Sequence, residues 1–496
     1  MIAGDSRIRG VVLHLRPMPM HLAQLQTLRD LIKVLQAAGK RVVVWAYSYD
    51  NALYYVACQA DVILLQNGGI IGPLGLRQSY LFLADALERV GLSFDFVQVS
   101  PYKTAGDVFT RKRMSDEARE MANWLIDARY EELIQGVMEG RKLNRPSGEA
   151  LLDNSPYTDQ QALNARVVDK VISEEDLPAY LGKEGKPAHL AYWEASRRSV
   201  LRPRPTRPGP YVALIRIEGL IVDGKSQRPP VKLPLPIPLL FDERAGDLSI
   251  VQQARKALKD RRAAAVVVFV DSGGGSATAS ESMAAALRKL ADKKPLIVVF
   301  GAQAASGGYY VSTPAHWIMA QPAAVTGSIG VLIGKLINAN LFNKVYANRE
   351  TISRGKHITI LDAERQFDDE ERKIIGEHIQ RIYSVFVDRV CVGRKMPREA
   401  VEKVAGGRVW TARQALTHGL IDELGGLEKA LVKARQLAGL PSDAPVREVK
   451  VRRQLLAPIA QTTGLIGYAM EGLYLLRKAH ALCLSPIIWD NPFDDV

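Results

Sequence analysis

The sequence contains little cysteine, and the three cysteines it has lie far apart. Cys58, Cys391 and Cys483 are spread over 496 residues. This spacing fits neither a zinc-binding nor a redox motif, and it excludes a disulfide-rich scaffold. The eight histidines form no HExxH or similar pair, so the sequence predicts no metal site. We expect no other cofactor.

Long apolar runs are also missing. No stretch of about 18 or more uninterrupted apolar residues occurs, so the sequence predicts no transmembrane helix. Residues 1–7 turn polar at once and do not resemble a secretory signal peptide.

Neither the composition nor the charge is extreme. Hydrophobic residues make up 47% and charged residues 24% of the chain, which is typical of globular proteins, and the length suits two or three domains. The formal net charge of +13 is scattered, without a stripe of basic and aromatic residues, so we expect no nucleic-acid partner. The excess is either an ordinary basic surface or a means of attraction to an anionic surface such as lipid head groups.

An internal repeat organises the chain. Residues 42–45 match 297–300 at an offset of 255, and residues 157–169 match 410–422 at an offset of 253. Similar segments at nearly one offset over such a span indicate a tandem duplication.

The repeat units alternate strand and helix patterns. Residues 266–270 and 297–300 are short, wholly apolar runs, as expected of strands buried on both faces. Residues 280–290 have helical spacing, and longer helices are predicted over Asp116–Arg141 and Asp369–Arg394. This alternation predicts an α/β fold with mostly parallel sheets flanked by helices.

Four regions follow from these patterns. We predict a first repeat over 1–196, a basic proline-rich linker over 197–210, a second repeat over 211–440 and a C-terminal tail over 441–496. The second repeat opens with a strand that has no upstream counterpart. We therefore expect that the first repeat has lost its opening strand and that a membrane anchor was lost with it.

Two apolar segments remain open to interpretation. Residues 228–241 form a proline-spaced apolar loop that cannot be helical, and it either packs on its own domain or marks an interface or membrane-touching tip. Residues 455–480 are apolar and helix-prone. They either pack against the core or a second subunit, or lie on a membrane surface.

Ser306 is the candidate nucleophile. Gly307 follows it directly, so the chain can turn tightly into a helix, leave the hydroxyl available and direct the Gly307 amide at developing negative charge. A second glycine cluster ends the strand at 266–270 and offers another oxyanion donor from Gly274 or Gly275, unless that cluster is only a flexible turn. The first repeat has Asn51 in place of the serine.

A serine hydroxyl needs a base to act as a nucleophile. A lysine can serve if it is uncharged, because burial can lower its pKa from about 10.4 by roughly 3–5 units. Among the histidines, His316 fits a core or interface position, whereas His357 remains a candidate base. Lys356 is a lysine candidate next to it.

Several of these segments resemble one family. Residues 305–310, 326–330 and 410–411, together with 419–422, are similar to signal peptide peptidase A, a serine–lysine peptidase family of the Clp-protease/crotonase superfold. The resemblance covers about residues 5–440. It implies two tandem Clp/crotonase-like domains.

The resemblance also assigns roles to residues. The family's Tyr-Lys-(Ser/Thr)-Ala motif falls on Tyr102-Lys103-Thr104-Ala105, which makes Lys103 the base, and Ser328 corresponds to the serine that orients the lysine. Lys103 plus 255 is Ile358, so each repeat carries only one member of the pair. The family's Ser-Pro-Gly-Gly is Ser-Gly-Gly-Gly at 272–275, which makes that turn less rigid.

By resemblance, the chain is a Ser/Lys endopeptidase that degrades cleaved signal peptides or other membrane-associated peptides. The expected partners are peptide substrates, a membrane surface and a homotetramer whose neighbouring subunits supply the lysine and the serine. The expected location is the extracytoplasmic, periplasmic side of a membrane if an anchor precedes the chain. A non-catalytic scaffold of the same fold and an acyl-CoA enzyme of the crotonase type are the alternatives.

Overall fold

A computed structural model describes five stretches of the chain: residues 2–183, 185–200, 209–229, 243–450 and 481–484. For the last stretch only the backbone is described.

The strands of the described residues, in chain order, are β1 (Gly10–His14), β2 (Arg41–Ala46), β3 (Val62–Leu65), β4 (Ile70–Ile71), β5 (Ser93–Gln98), β6 (Tyr157–Thr158), β7 (Lys170–Val171), β8 (Tyr211–Glu218), β9 (Leu220–Val222), β10 (Arg244–Gly246), β11 (Ala263–Ser272), β12 (Gly274–Ser276), β13 (Leu296–Ala305), β14 (Trp317–Ala320), β15 (Val325–Gly327), β16 (Leu332–Ile337), β17 (Val409–Thr411), β18 (Glu423–Leu424), β19 (Val446–Glu448) and β20 (Ala481–Leu484).

The α-helices are α1 (Leu22–Ala37), α2 (Asn51–Ala57), α3 (Ala84–Val90), α4 (Asp107–Thr110), α5 (Asp116–Arg141), α6 (Arg145–Asp153), α7 (Asp159–Asn164), α8 (Leu177–Leu181), α9 (Trp193–Ser196), α10 (Asp247–Lys259), α11 (Ala277–Ala291), α12 (Gly307–Tyr310), α13 (Ala339–Lys344), α14 (Asp369–Arg394), α15 (Arg398–Val404), α16 (Ala412–Thr417) and α17 (Leu427–Leu437). Short 3₁₀ turns lie at Ile2–Gly4, Thr104–Gly106 and Glu174–Asp176.

The chain forms two compact units that interleave along the sequence. The first contains the described residues of 1–78 and 126–207, and the second contains those of 79–125 and 208–490. Residues 79–125 precede the proline-rich segment and yet fold with the second unit. The repeat pattern does not indicate this grouping.

The first unit is built on a small parallel sheet in the order β1-β2-β3-β7. Its strands are short and apolar, and helices α1 and α2 pack beside them. Within the described residues, β1 is an edge of this sheet, whereas its repeat counterpart β11 continues to β8 on that side. The first repeat thus has no described equivalent of β8.

The second unit has a larger sheet in the order β17-β15-β13-β11-β8-β19, with β14 paired to β13 and β18 paired to β14. Its pairs are parallel except for β15 with β17. Helix α17 covers one face, and the buried side chains of this core are Val212, Ala265, Val267, Ile297, Val299, Met319, Ala430, Leu431 and Ala434. The predicted α/β fold with mostly parallel, helix-flanked sheets is confirmed.

A second sheet of this unit runs in the order β10-β9-β12-β20-β16-β5. Strand β20 is antiparallel to both of its neighbours, β12 and β16. The sheet joins the glycine-rich turn, the C-terminal strand and the strand that precedes Lys103.

The predicted helices are confirmed. Both long helices have the predicted bounds, and 280–290 lies within α11. Local chemistry explains the start of α14, because Asp368 accepts a hydrogen bond from the Glu371 amide and Glu371 reaches back in a capping box. Acidic residues in the first turn add favourable interactions with the helix dipole.

Three sequence-based interpretations fall outside the described residues in whole or in large part. They concern the linker at 201–208, the apolar loop at 230–241 and the tail at 455–480. In the part of the chain that the structure describes, no helix combines the length and apolar character needed to cross a membrane.

Candidate active site

Ser306 lies where strand β13 turns into helix α12. Its backbone has φ +55° and ψ −114°, a conformation that costs energy for a residue with a side chain and persists only where the surroundings enforce it. The Ser306 amide donates to Gly327 O at 2.7 Å, which fixes the turn. The side chain is fully buried and makes no capping bond to its own helix. Its hydroxyl is therefore not used to cap α12.

The two glycines after Ser306 allow the backbone of the turn to touch the glycine-rich turn of β12. A Cβ on Gly307 would lie 2.7 Å from Ser280 Oγ and 3.1 Å from Gly274 Cα. A Cβ on Gly308 would lie 2.5 Å from Ser272 O. Any side chain at these positions would push the two turns apart.

The glycine-rich turn itself needs glycine. Gly274 and Gly275 have φ of +106° and +150°, in the region that favours glycine. The Gly274 amide donates to Ser272 Oγ at 3.1 Å, and Ser272 Oγ donates to Gly219 O at 2.6 Å. The Gly274 amide is thus already bonded within the turn.

Lys103 reaches the serine from the segment that follows β5. Its Nζ donates to Ser306 Oγ at 2.7 Å, to Ser328 Oγ at 2.9 Å and to Ser328 O at 3.0 Å. All three residues are fully buried. The structure therefore brings together the three side chains that the resemblance singled out.

This contact lies within one compact unit of one chain, because 79–125 folds with the second unit. The expectation that neighbouring subunits supply the lysine and the serine is therefore wrong. Lys103 and Ser306 are 203 residues apart in sequence, and the fold of one chain brings them together without a second subunit.

Glycines also make room for Lys103. A Cβ on Gly407, whose φ is +92°, would lie 2.7 Å from both Lys103 Cα and Lys103 N. A Cβ on Gly330 would lie 3.2 Å from Lys103 Cδ. Next to the lysine, the Arg408 guanidinium stacks 3.9 Å from the centroid of the Tyr102 ring. The lysine backbone and stem are thus held against a glycine-lined wall.

Ser328 is held as firmly as Ser306. It also has a positive φ, +51°, and its amide donates to Arg408 O at 2.6 Å. Both serines that contact the amine are therefore in strained backbone conformations, which cluster at functional sites.

The other candidate bases lie elsewhere. Lys356 is exposed and pairs with Glu370 at 2.5 Å, and His357 is exposed. His316 Nδ1 accepts the Leu296 amide at 3.1 Å, in keeping with a structural role. No group of three or more His, Cys, Asp or Glu among the described residues could hold a metal ion.

A groove beside the serine is bounded by β12 and β16. The backbone of β20 fills it, with Cys483 opposite Gly275 and Leu482 opposite both Ser276 and Leu332. The groove can thus hold an extended chain hydrogen-bonded on both sides, as in β-strand addition.

Sequence reasoning missed two residues of this region. Gly407 shapes the lysine position, and the adjacent pair Gly406-Gly407 is the signal that could have indicated it. Asp271 lies at the end of β11, partly buried, and burial raises the pKa of its carboxyl to about 6. Only its place directly before the glycine turn hinted at a role.

Comparison with known proteins relates the chain to a peptidase family. The sequence profile of peptidase family S49 matches residues 34–186 and 288–441. The chain is 31% identical over 458 residues to the chloroplastic serine protease SPPA of Arabidopsis thaliana, covering 91% of this chain and 66% of that one. It is 30% identical over 469 residues to Protease 4 of Haemophilus influenzae, covering 90% and 73%.

A search of solved structures gives weaker likenesses. A mutant of the 1510-N membrane-bound stomatin-specific protease aligns at 14% identity with a TM-score of 0.31, covering 49% of this chain and 99% of that one.

Proposed function

We propose that this chain, which belongs to peptidase family S49 and is a serine peptidase, is an endopeptidase that uses Ser306 as nucleophile and Lys103 as base. The observation that carries the proposal is the 2.7 Å hydrogen-bonding distance between Lys103 Nζ and Ser306 Oγ inside a buried site. At that distance a proton can pass directly between Ser306 Oγ and Lys103 Nζ.

In the first step, Ser306 Oγ attacks the carbonyl carbon of the scissile peptide bond while an uncharged Lys103 takes the hydroxyl proton. Ser328 orients the amine through two contacts, from its hydroxyl and from its carbonyl oxygen. The strained backbone of Ser306 keeps the hydroxyl directed at the amine rather than at its own helix.

The oxyanion of the tetrahedral intermediate needs two donors. We assign one to the Gly307 amide, which begins α12, and the other to the Gly275 amide. Gly275 is preferred over Gly274, because the Gly274 amide is bonded to Ser272 Oγ. The close packing of Gly307 against both glycines supports donors that converge on one point.

Collapse of the intermediate breaks the C–N bond, and Lys103 returns its proton to the leaving amine. Water then attacks the acyl-enzyme, with Lys103 as base again, and releases the acid and free Ser306. Every proton in this cycle passes through one amine.

The substrate binds as an extended strand between β12 and β16, where β20 now lies. By family resemblance, the substrates are cleaved signal peptides or other membrane-associated peptides. The +13 charge supports attraction to anionic lipid. A homotetramer at the extracytoplasmic side of a membrane completes the proposal.

An internally quenched peptide with small apolar residues tests the activity, and a peptide aldehyde tests the nucleophile. Wild type should cleave the first and bind the second, and Ser306→Ala should do neither at unchanged thermal stability. If wild type neither cleaves nor binds, the scaffold alternative is correct. If Ser306→Ala still cleaves, the nucleophile is misassigned.

A further inference from the structure

The pairing of β11 with β13 changes register just before the site. From Val266 to Val270 the strands advance together, with Val270 opposite Phe300. The next pair is Ser272 with Ala304, so one residue of β11 faces three residues of β13, at 301–303. This is a bulge of two extra residues, and such bulges re-aim the chain that follows.

Asp271 is the residue that faces the bulge, and its side chain fills it. The Gln303 amide donates to Asp271 Oδ1 at 3.1 Å, and the nearby Ala302 amide also lowers the pKa of this carboxyl. A Cβ on Gly301 would lie 2.5 Å from the carboxyl carbon, so only glycine fits there. At the bulge, these amides lose the backbone partners that a regular strand pair would give them. The carboxylate takes the place of those partners.

The bulge lies between the two turns of the site. Three residues after Gln303 comes Ser306, and three residues after Asp271 comes Gly274. The two segments also meet directly, because a Cβ on Gly273 would lie 3.5 Å from the Gln303 side-chain amide. Asp271 thus couples the strand that carries the nucleophile to the strand that carries the oxyanion turn.

The first unit lacks this arrangement. The counterpart of Asp271 at the 255-residue offset is Arg16, whose guanidinium stacks 4.3 Å from the centroid of the Tyr47 ring. Strand β2 ends at Ala46, the counterpart of Gly301, and its pairing with β1 ends with His14 opposite Trp45, before the place equivalent to the bulge. The carboxylate and the bulge occur together in the unit that has the serine.

The charged groups that face Asp271 come from β8. Glu218 lies directly opposite on that strand, and its charge raises the pKa of the Asp271 carboxyl in addition to burial. Arg216, which pairs with Glu218, acts in the opposite direction. The facing part of β13, residues 301–303, carries no charge.

We propose that Asp271 is a positioning residue whose ionised carboxylate holds the 301–303 bulge and thereby sets the spacing between Ser306 and the oxyanion amides. The inference rests on the proposed peptidase function. Its physical basis is that the ionised carboxylate is a stronger acceptor for the bulge amides than the protonated carboxyl.

The test uses the full chain and the quenched peptide across pH 4.5–8. Asp271→Asn should lower kcat by about 10- to 100-fold with little change in KM, since misplacement by about 1 Å can cost that much. The wild-type profile should rise through a step near the carboxyl pKa of about 6, and the variant should lack this step. Equal kcat and an unchanged profile would overturn the proposal.

Glu218→Gln is the second variant, because it leaves the bulge contacts in place. Removal of the like charge should move the step to lower pH, and a step that stays or moves upward would contradict Asp271 as its origin. If Asp271→Asn does not fold, the shift of the step in Glu218→Gln still tests the proposal.

Hydrogen exchange of the amides of Ala302 and Gln303 separates this inference from the function itself. Protection that falls in wild type as the pH drops through the step, and in Asp271→Asn at every pH, supports the bulge role even if no peptide is cleaved. Unchanged protection would overturn it. An inactive wild type with normal protection would overturn only the peptidase function.

Discussion

The two repeats use equivalent positions for different purposes. In the first unit, Asp50 caps α2 by accepting the Leu53 amide at 2.7 Å, and Asn51 Oδ1 accepts the Gly75 amide at 2.7 Å. In the second unit, Ser306 takes the place of Asn51 and caps nothing. Polar side chains thus stabilise the fold in one copy and remain available for proton transfer in the other.

The same contrast holds around the serine. Ser328, which contacts the amine, corresponds to Pro73, which has no hydroxyl. The glycine turn at 273–275 corresponds to Met18-Pro19-Met20, which Pro17 precedes, and prolines have no amide hydrogen to donate. The difference teaches that the second unit keeps a strained backbone at Ser306 and Ser328, whereas the first unit uses Asn51, at the position of Ser306, for a local hydrogen bond to the Gly75 amide.

The largest effect should come from Lys103, which belongs to the first repeat in sequence but folds with the second unit. Lys103→Met keeps the length of the side chain but removes the base. We expect kcat/KM for the quenched peptide to fall by about 10³- to 10⁴-fold, the range of general acid–base catalysis. Lys356→Met is the matched control and should stay within about twofold, because Lys356 is exposed and pairs with Glu370. Equal losses would show that the wrong lysine was chosen.

Gly407→Ala should have the next largest effect. A methyl group there would lie 2.7 Å from the Lys103 backbone, so the lysine must shift, and about 10²-fold of kcat should be lost. Gly439→Ala is the control, since it has φ +61° but open space around it. Both should lose about 1 kcal/mol of stability from backbone strain, and Gly407→Ala should lose more because its methyl group also meets the Lys103 backbone. Full activity in Gly407→Ala would mean that the glycine wall does not set the lysine position.

Local patterns in the sequence predicted what depends on local structure. The apolar runs at 266–270 and 297–300 are buried strands, and α14 has its predicted bounds because capping and charge act within one turn. Ser306, Gly307 and Gly274 were recognisable because a tight turn needs those residue types in sequence.

Long-range features were not predictable in this way. Nothing in the residues of 79–125 shows that they fold with the second unit, and this grouping alone places Lys103 beside Ser306 in one chain. Pairing of β20 with β12 is equally non-local. The bulge opposite Asp271 depends on the register between two strands, which a single strand pattern does not encode.

Stability should depend on pH through Asp271, a residue that the first unit replaces with arginine. The folded pKa of about 6 lies above the ordinary 3.8, so the ionised carboxylate holds the bulge at a net cost in global stability. The contribution of this group to the stability of the whole fold is therefore fully present only below about pH 4. That contribution, roughly 2–3 kcal/mol, should be lost as the pH rises through 6. Urea unfolding at pH 4–7.5 should show the decline in wild type and not in Asp271→Asn. The same pH dependence of stability in wild type and Asp271→Asn would contradict this prediction.

Ser328→Ala makes the second unit more similar to the first, which has a proline at the equivalent position. The amine keeps its contacts to Ser306 Oγ and Ser328 O, so we expect a loss of only about 10-fold in kcat, close to the value of one hydrogen bond to a charged or reacting group. Ser312→Ala removes another buried hydroxyl, bonded to Gly308 O, and should leave kcat within about twofold. A 10³-fold loss in Ser328→Ala would make Ser328 a second essential group.

The smallest effect concerns the strand that fills the groove of the second unit. If β20 and a peptide substrate compete for β12 and β16, a chain that ends at His480 should have a KM lower by about 2- to 10-fold at constant kcat, because an occupied groove reduces apparent affinity by the free fraction. A chain that ends at Leu484 retains the strand and is the matched control. An unchanged KM in the shorter chain would mean that substrates do not bind between β12 and β16. A lower kcat in both would instead point to a stabilising role of the tail.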